Sequence, residues 1–243
     1  MSASSISPPR SWSVVIAAAG DGTRMAADRR KPHLELAGRP ILHRAIECFS
    51  TLEPCRGIVV VLHPDDLAGG EAAEELAARC GPCTVVAGGT CRQESVLNGL
   101  EALDPDGPDV VLIHDAVRPL VRADVILRVA AEAARQGAAI AAVPAGETVK
   151  RAGADRTVVE TPDRSALWFA RTPQGFRRGI ILEAHRRAAR EGFTGTDDAQ
   201  LVERIGGTVA LVEDDYSNIK ITAPADLLAV KGILAGRDRT AER

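Results

Sequence analysis

The chain has 243 residues, 45% of them apolar, enough to bury a sizeable core in one large α/β domain or two small ones without disulfide staples. Its formal net charge of −3 supplies no global field for nucleic acid or an acidic membrane surface, so any anion site has to be built locally. With 3% aromatic residues there is no stock of stacking platforms for single-stranded nucleic acid, and no apolar run approaches the roughly 18 residues of a membrane span.

Residues 1–11 read as a disordered Ser/Pro-rich tail with no apolar core, unlike a signal peptide. Residues 12–236 read as one domain and 237–243 as a charged tail. Five cysteines, an odd number, fit a reducing, cytoplasmic compartment. Cys80-Gly-Pro-Cys83 has no second pair for zinc and falls at a helix-to-strand turn, not at a helix start, which argues against a redox or metal role.

Residues 14–34 look like a buried strand running into a glycine-bearing loop that ends in cations. Gly20 and Gly22 remove Cβ atoms where amides can turn toward an anion, and Arg24 and Lys31 add charge. The loop is not a Rossmann fingerprint, because Met25 stands where a third glycine or alanine belongs, and it lacks the Gly-Lys-Ser/Thr of a Walker A loop. No helical pattern starts before about Leu42, so phosphates would be wrapped by loop. The bland alternative is a βα turn with solvated arginines.

Strand and helix signals then alternate, the pattern of a mostly parallel sheet flanked by helices. Leu42, Ala45, Ile46 and Phe49 mark a helix, Ile58–Leu62 a strand, Glu71–Cys80 a helix, Thr84–Ala87 a strand, Arg92–Leu103 a helix and Val110–Ile113 a central strand. Asp124–Gln136 is predicted as a helix stopped by Gly137, and Ala138–Val143 as a strand. From Pro144 to Arg164 the pattern becomes polar and β-branched: Glu147–Arg151 and Thr157–Thr161 read as a hairpin with little core of its own, an arm expected to pack on a second subunit. Ala166–Phe176 returns as a strand. Helices over Arg178–Glu191 and Thr196–Gly206, strands over Thr208–Val212 and Asn218–Ile221, and a closing helix over Pro224–Ala235 complete the chain.

Polar residues recur at strand ends, where open α/β sheets bind ligands. Gly88-Gly89 leads into Thr90-Cys-Arg-Gln-Glu-Ser95, whose amides and hydroxyl could read a base or ribose; a turn capped by Thr90 is the equal alternative. Asp115, directly after a buried strand, suits a Mg²⁺ ligand or a turn cap, and His114 reads as a packed histidine. On the predicted strand Asn218–Ile221, Asn218 and Lys220 share one face, and a lysine on a core-like strand calls for an anion in the cleft. Of the 30 lysines and arginines only Lys31, Lys150, Lys220 and Lys231 are lysines, and three of them lie in these polar motifs. Nothing supports covalent catalysis.

Taken together, Ala18-Ala-Gly-Asp-Gly-Thr-Arg-Met25 with Lys31, Gly88-Gly-x-x-Arg-x-x-Ser95, His114-Asp-Ala-x-Arg-Pro119, Glu147-Thr-x-Lys150, Arg164-x-x-Leu-Trp168, Thr172-Pro-Gln174, Thr196-Asp-Asp198 and Asn218-Ile-Lys-Ile-Thr222 closely resemble the 2-C-methyl-D-erythritol 4-phosphate cytidylyltransferase family over about residues 12–235. The resemblance implies a homodimer of Rossmann-like three-layer subunits with an exchanged β-arm (144–165), converting CTP and 2-C-methyl-D-erythritol 4-phosphate to the CDP-alcohol and pyrophosphate in non-mevalonate isoprenoid synthesis. It implies that Arg24, Lys31 and Lys220 neutralise the triphosphate and the transition state and that Asp115 holds Mg²⁺. Ala18, Ala19, Gly20, Gly22, Thr23, Gly89, Arg92, Ser95 and Ala116 would meet the nucleotide. Arg118, Thr148, Lys150, Arg164, Thr172 and Thr196 would serve the sugar phosphate, with Thr148 and Arg164 supplied by the partner's arm.

At this length no fused cyclodiphosphate synthase, carried by some relatives, is expected. Three departures stand out: Arg30-Lys31-Pro32-His33 replaces the usual Pro-Lys-Gln-Tyr, Arg171 stands where glutamine is common, and Asp214 replaces a usual glycine. Pro32 restricts Lys31, so the path of the loop there is the open point. The rival readings are a cytidylyltransferase acting on ribitol 5-phosphate or an acidic sugar, and a catalytically dead nucleotide-binding module.

Overall fold

The computed structural model describes Pro9 and residues 11–20, 30–68 and 71–241. In chain order the elements are β1 (Trp12–Ala18), β2 (Glu35–Leu36), β3 (Arg39–Pro40), α1 (Ile41–Ser50), β4 (Cys55–Leu62), α2 (Pro64–Leu67), α3 (Glu71–Cys80), β5 (Thr84–Ala87), α4 (Arg92–Glu101), β6 (Val110–Asp115), α5 (Ala123–Gln136), β7 (Ala138–Pro144), β8 (Arg151–Ala152), β9 (Val158–Glu160), β10 (Trp168–Arg177), α6 (Arg178–Glu191), α7 (Asp198–Arg204), β11 (Ala210–Glu213) and α8 (Pro224–Ala241), with 3-10 turns at Lys31–His33 and Arg164–Ala166.

Seven strands form one sheet in the order β11-β7-β10-β6-β1-β4-β5. All neighbours run parallel except β10, which is antiparallel to both β6 and β7. β1 lies between β4 and β6, which is why it reads apolar on both faces. Val14 and Ile16 pack toward Leu42 and Ile46 of α1 and Ile126 and Val129 of α5, whereas Val15 packs toward Val96 and Leu100 of α4 and Ile181 of α6. The period-2 alternation thus separates two helical layers, and each fully buried Val, Leu or Ile contributes about 2 kcal/mol. On the second face α4 comes so close to the sheet that a Cβ on Gly99 would stand 2.5 Å from Val15 Cγ1. A third cluster joins Leu36, Ile41 and Leu120 to Ile221 and to Val230 of α8.

Several expected elements differ. Asn218–Ile221 is not a strand: Asn218 is buried, with Nδ2 donating to Thr172 O (2.9 Å) and Asp214 Oδ2 (2.7 Å), so side-chain bonds replace a ladder, and Asn218 does not share a face with Lys220. The hairpin shrinks to Arg151–Ala152 paired with Val158–Glu160, because these residues are exposed and no core supports a longer ladder. The 237–243 tail is helical as far as Ala241, continuing α8, and Arg237 donates to Leu120 O (3.1 Å) and Ser217 Oγ (2.7 Å). Of the expected 1–11 tail, residues 1–8 and 10 lie outside the described residues.

Candidate active site

Because β1, β4, β5 and β6 are parallel, their carboxyl ends open on one edge of the sheet. There a cleft of about 580 Å³ is lined by the end of β1 (Ala17–Gly20), the start of α4 (Gly89–Arg92 and Ser95), Asp115, Lys31 and Lys220–Thr222.

Asp115 is its electrostatic centre. Lys220 Nζ lies 2.8 Å from Oδ2, Arg118 Nε 3.6 Å from the same oxygen, and Arg92 Nε 3.3 Å from Oδ1. Burial alone would push the carboxyl up, but Arg92, then Lys220 and Arg118, outweigh it and hold Asp115 well below the usual carboxylate range. The backbone around it is locked: Asp115 N–H donates to Thr172 Oγ1 (3.1 Å), and His114 Nε2 lies 3.0 Å from Arg118 O. That carbonyl can only accept, so Nε2 carries the proton and Nδ1 takes the Thr172 hydroxyl hydrogen at 3.1 Å. Thr172 reaches Asp115 because the β10 register breaks between Ala170 and Gln174.

Arg92 is held from behind. Its Nη2 donates to Asp198 Oδ2 at 2.8 Å, and Asp198, 1% exposed, lies 3.2 Å from Nε2 of the fully buried His185. Asp198 belongs to Thr196-Asp-Asp198, of which sequence reasoning singles out only Thr196. Thr196 is exposed, with Oγ1 donating to Gln200 Oε1 at 3.2 Å, whereas Asp198 grips the cleft arginine. The available signal is an acidic pair opening a helix: Asp197 caps α7 by accepting from Gln200 N, which leaves Asp198 to turn inward.

Lys31 is buried, and its Nζ donates to Thr222 O at 3.0 Å. Gly88 lets the second glycine loop touch the first, since a Cβ there would stand 2.3 Å from Ala19 Cβ. Ser95 shapes that loop: its hydroxyl accepts from Gly89 N–H (3.0 Å) and donates to Cys91 O (2.8 Å). Cys91, not Thr90, is the N-cap of α4; Thr90 N–H and Oγ1 both donate to Glu94 Oε2.

The cleft thus gathers Ala18, Ala19, Gly20, Lys31, Gly89, Arg92, Ser95, Asp115 and Lys220. Arg118 and Thr172 lie behind Asp115. Ala116 is fully buried, with its N–H on Ala17 O (3.0 Å), and packs in the core instead of lining the cleft. Gly22, Thr23 and Arg24 lie outside the described residues. The arm residues are not brought to Asp115: Thr148 is exposed, Lys150 Nζ donates to Thr161 Oγ1 (2.8 Å), and Arg164 Nη1 to Gly146 O (3.0 Å).

A cleft with this cation-ringed carboxylate at the strand ends is what comparison with known proteins can place. The profile of the IspD family, 2-C-methyl-D-erythritol 4-phosphate cytidylyltransferase, matches residues 12–236. The chain belongs to this family. It is therefore an enzyme, a nucleotidyltransferase. The cytidylyltransferase of Geobacillus kaustophilus is 45% identical over 229 residues, spanning 93% of this chain and 98% of its own. Among solved structures, the 4-diphosphocytidyl-2C-methyl-D-erythritol synthase of Anaerococcus prevotii superimposes with a TM-score of 0.82 at 31% identity, covering 93% of this chain and 96% of that one. The cytidylyltransferase of Thermus thermophilus gives 0.77 at 33% identity, covering 92% and 98%. These IspD likenesses agree with the three-layer, mostly parallel architecture. Among the described residues no helix is long and apolar enough to cross a membrane.

Proposed function

We propose that the protein transfers CMP from CTP to 2-C-methyl-D-erythritol 4-phosphate, giving 4-diphosphocytidyl-2-C-methyl-D-erythritol and pyrophosphate. The observation that carries this is the Asp115 carboxylate ringed by Arg92, Arg118 and Lys220 in a cleft that Lys31 also lines. A phosphate oxygen of the sugar attacks the α-phosphorus of CTP, a new P–O bond forms, and the bond to the β-phosphate oxygen breaks as pyrophosphate leaves. The acceptor is already an anionic nucleophile, so the residues need only align it and neutralise developing charge.

Lys31 and Lys220, with Arg24 from the loop, take that charge. Arg118, buried behind Asp115 with Nε 3.6 Å from Oδ2 and Nη1 donating to Asn218 O (2.9 Å), holds that carboxylate at the edge of the acceptor site. Thr172 keeps Asp115 and His114 in place behind it. Among the described residues no group of three or more His, Cys, Asp or Glu gathers to hold a metal, and Asp115 is the carboxylate of the cleft lining. One ionised carboxylate suits Mg²⁺, which completes its shell with water and substrate phosphates, and Asp115 is the residue that would hold it. When bound, the ion neutralises the triphosphate; Lys220, 43% exposed, is free to turn from Asp115 to a phosphate.

Thr148, Lys150 and Arg164 stand exposed on an arm whose Val158 and Val159 are 62% and 54% exposed, features that support a homodimer in which each arm completes the acceptor site of the other copy. Five free thiols agree with a cytoplasmic location. Pyrophosphate release with CTP and Mg²⁺ across candidate acceptors tests the assignment: turnover of methylerythritol phosphate is expected, and efficient use of ribitol 5-phosphate with none of methylerythritol phosphate would sink it.

A further inference from the structure

The turn that delivers Lys31 is built from the residues in which this chain departs from the usual pattern, Arg30-Lys31-Pro32-His33. Lys31–His33 is a single 3-10 turn with Pro32 in its first positions, closed by His33 N–H on Arg30 O (3.0 Å) and Leu34 N–H on Lys31 O (3.1 Å). Such a turn is weak alone, and a lysine carries about 2 kcal/mol of rotamer entropy. Two anchors compensate. At the tip, Lys31 Nζ meets Thr222 O, and Thr222 is itself fixed by its N–H and Oγ1 donating to Asp226 Oδ2 at 2.7 Å each.

At the root, Asp66 of α2 uses one oxygen on each flank of Lys31. Arg30 Nη1 donates to Oδ1 at 2.6 Å, and His33 Nε2 lies 3.0 Å from Oδ2. The second arm of the Arg30 fork reaches Asp65 Oδ2 at 2.6 Å, but Asp65 is 71% exposed against 15% for Asp66. Screening weakens the outer contact, so the inner carboxylate carries the restraint. Asp66 in turn is tied to the end of β4 by its N–H on His63 O (2.9 Å). The path from the sheet to the ammonium is therefore continuous: β4, His63, Asp66, the Arg30–His33 turn, Lys31.

We propose that Asp66 is a positioning residue for the transfer reaction: by clipping Arg30 and His33 it fixes the turn that carries Lys31 and sets the ammonium against the triphosphate. The inference rests on the reading of Lys31 as a charge partner of that triphosphate. A displacement of about 1 Å at a transition-state contact is enough for large rate losses, on the order of a hundredfold, so a clip remote from the chemistry acts on kcat more than on KM.

The test compares kcat, KM and melting temperature for Asp66→Asn, Asp65→Asn, Lys31→Ala and the Asp66→Asn/Lys31→Ala pair. Asp66→Asn is expected to lower kcat by about tenfold or more with KM changed by less than about threefold, and Asp65→Asn to cost less than about threefold. With Lys31 already alanine, Asp66→Asn should add less than about twofold, the non-additivity of two residues acting as one unit. If Asp66→Asn does not fold, Arg30→Gln/His33→Phe breaks the clip from the other side, and its loss must vanish in the Lys31→Ala background in the same way. Near-normal kcat in the clip variants beside an impaired Lys31→Ala overturns the clip alone, as does an equal loss in both backgrounds. Near-normal kcat in Lys31→Ala overturns the reading of Lys31 on which the proposal stands.

Discussion

Lys220 and Asp115 form an ion pair at 2.8 Å that is sealed on one side only: the carboxylate is 8% exposed and the lysine 43%. The lysine can leave for a phosphate without stranding a buried anion, because Arg92 and Arg118 stay within 3.3 and 3.6 Å of the same carboxylate. Lys220→Ala should then lower kcat by about a hundredfold or more, the scale of losing one transition-state charge partner. The melting temperature should hardly move, since a half-open ion pair contributes about 1 kcal/mol or less. Steady-state pyrophosphate release beside a thermal melt checks both, and a near-normal kcat would refute the role.

Asp115→Ala has a different signature. It leaves Arg92 and Arg118 facing each other without their shared anion, and it removes the carboxylate that would hold Mg²⁺. The Mg²⁺ concentration for half-maximal activity should rise sharply, and an unchanged metal titration would count against ligation.

Asp198 contributes to stability more than its place behind the cleft suggests. Burial pushes its carboxyl up, and Arg92 and His185 more than reverse this, holding it below its ordinary value. Asp198→Ala would leave Arg92 with one anionic partner and His185 Nε2 with none inside the protein, at a cost of about 3 kcal/mol, the scale of breaking a buried pair. For a chain of this size that corresponds to a melting point lower by about 10 °C. Calorimetry measures it; a shift under about 2 °C would show that the pair is a weak contributor.

Acid should unfold the protein by a traceable route. Burial holds His114 down to about 4 from 6.5, and burial also lowers His43. Between 6.5 and 4 the unfolded chain binds a proton at this position that the folded one does not, so stability is lost as pH falls through that window, by about 3 kcal/mol for His114. Asp115 and Asp198, both depressed in the fold, add to the loss only below their unfolded value of 3.8. Melting temperature against pH should slope downward from 6.5 to 4, and His114→Gln should flatten that slope. An unchanged slope would mean other groups govern it.

The arm makes the last prediction. Val158→Asp with Val159→Asp puts charge on side chains that are 62% and 54% exposed and touch no core of this chain, so the subunit should stay folded. If the arm carries the proposed dimer, sedimentation should show the variant as a monomer, with activity lost. A dimer that survives would place the interface elsewhere.

Much of this protein was legible in its residues. The alternation of apolar runs and amphipathic stretches dictated a parallel sheet between helices, because burial on two faces and burial on one leave different periods. The polar residues following β1 and closing β6 marked the cleft edge, since a charged group at the carboxyl end of a buried strand opens on the edge of the sheet. What the residues could not tell was decided by contacts between distant segments. Asn218 reads as a strand residue until Asp214 and the Thr172 carbonyl claim its amide. Asp198 reads as a helix-start acid until the sheet brings Arg92 against it, and Lys31 sits on an ambiguous turn until Asp66 of α2 reaches the flanking Arg30 and His33. Local period reports which face is buried; the partner of a buried charge is set by three-dimensional packing, where one carboxylate must find a cation to remain ionised at all.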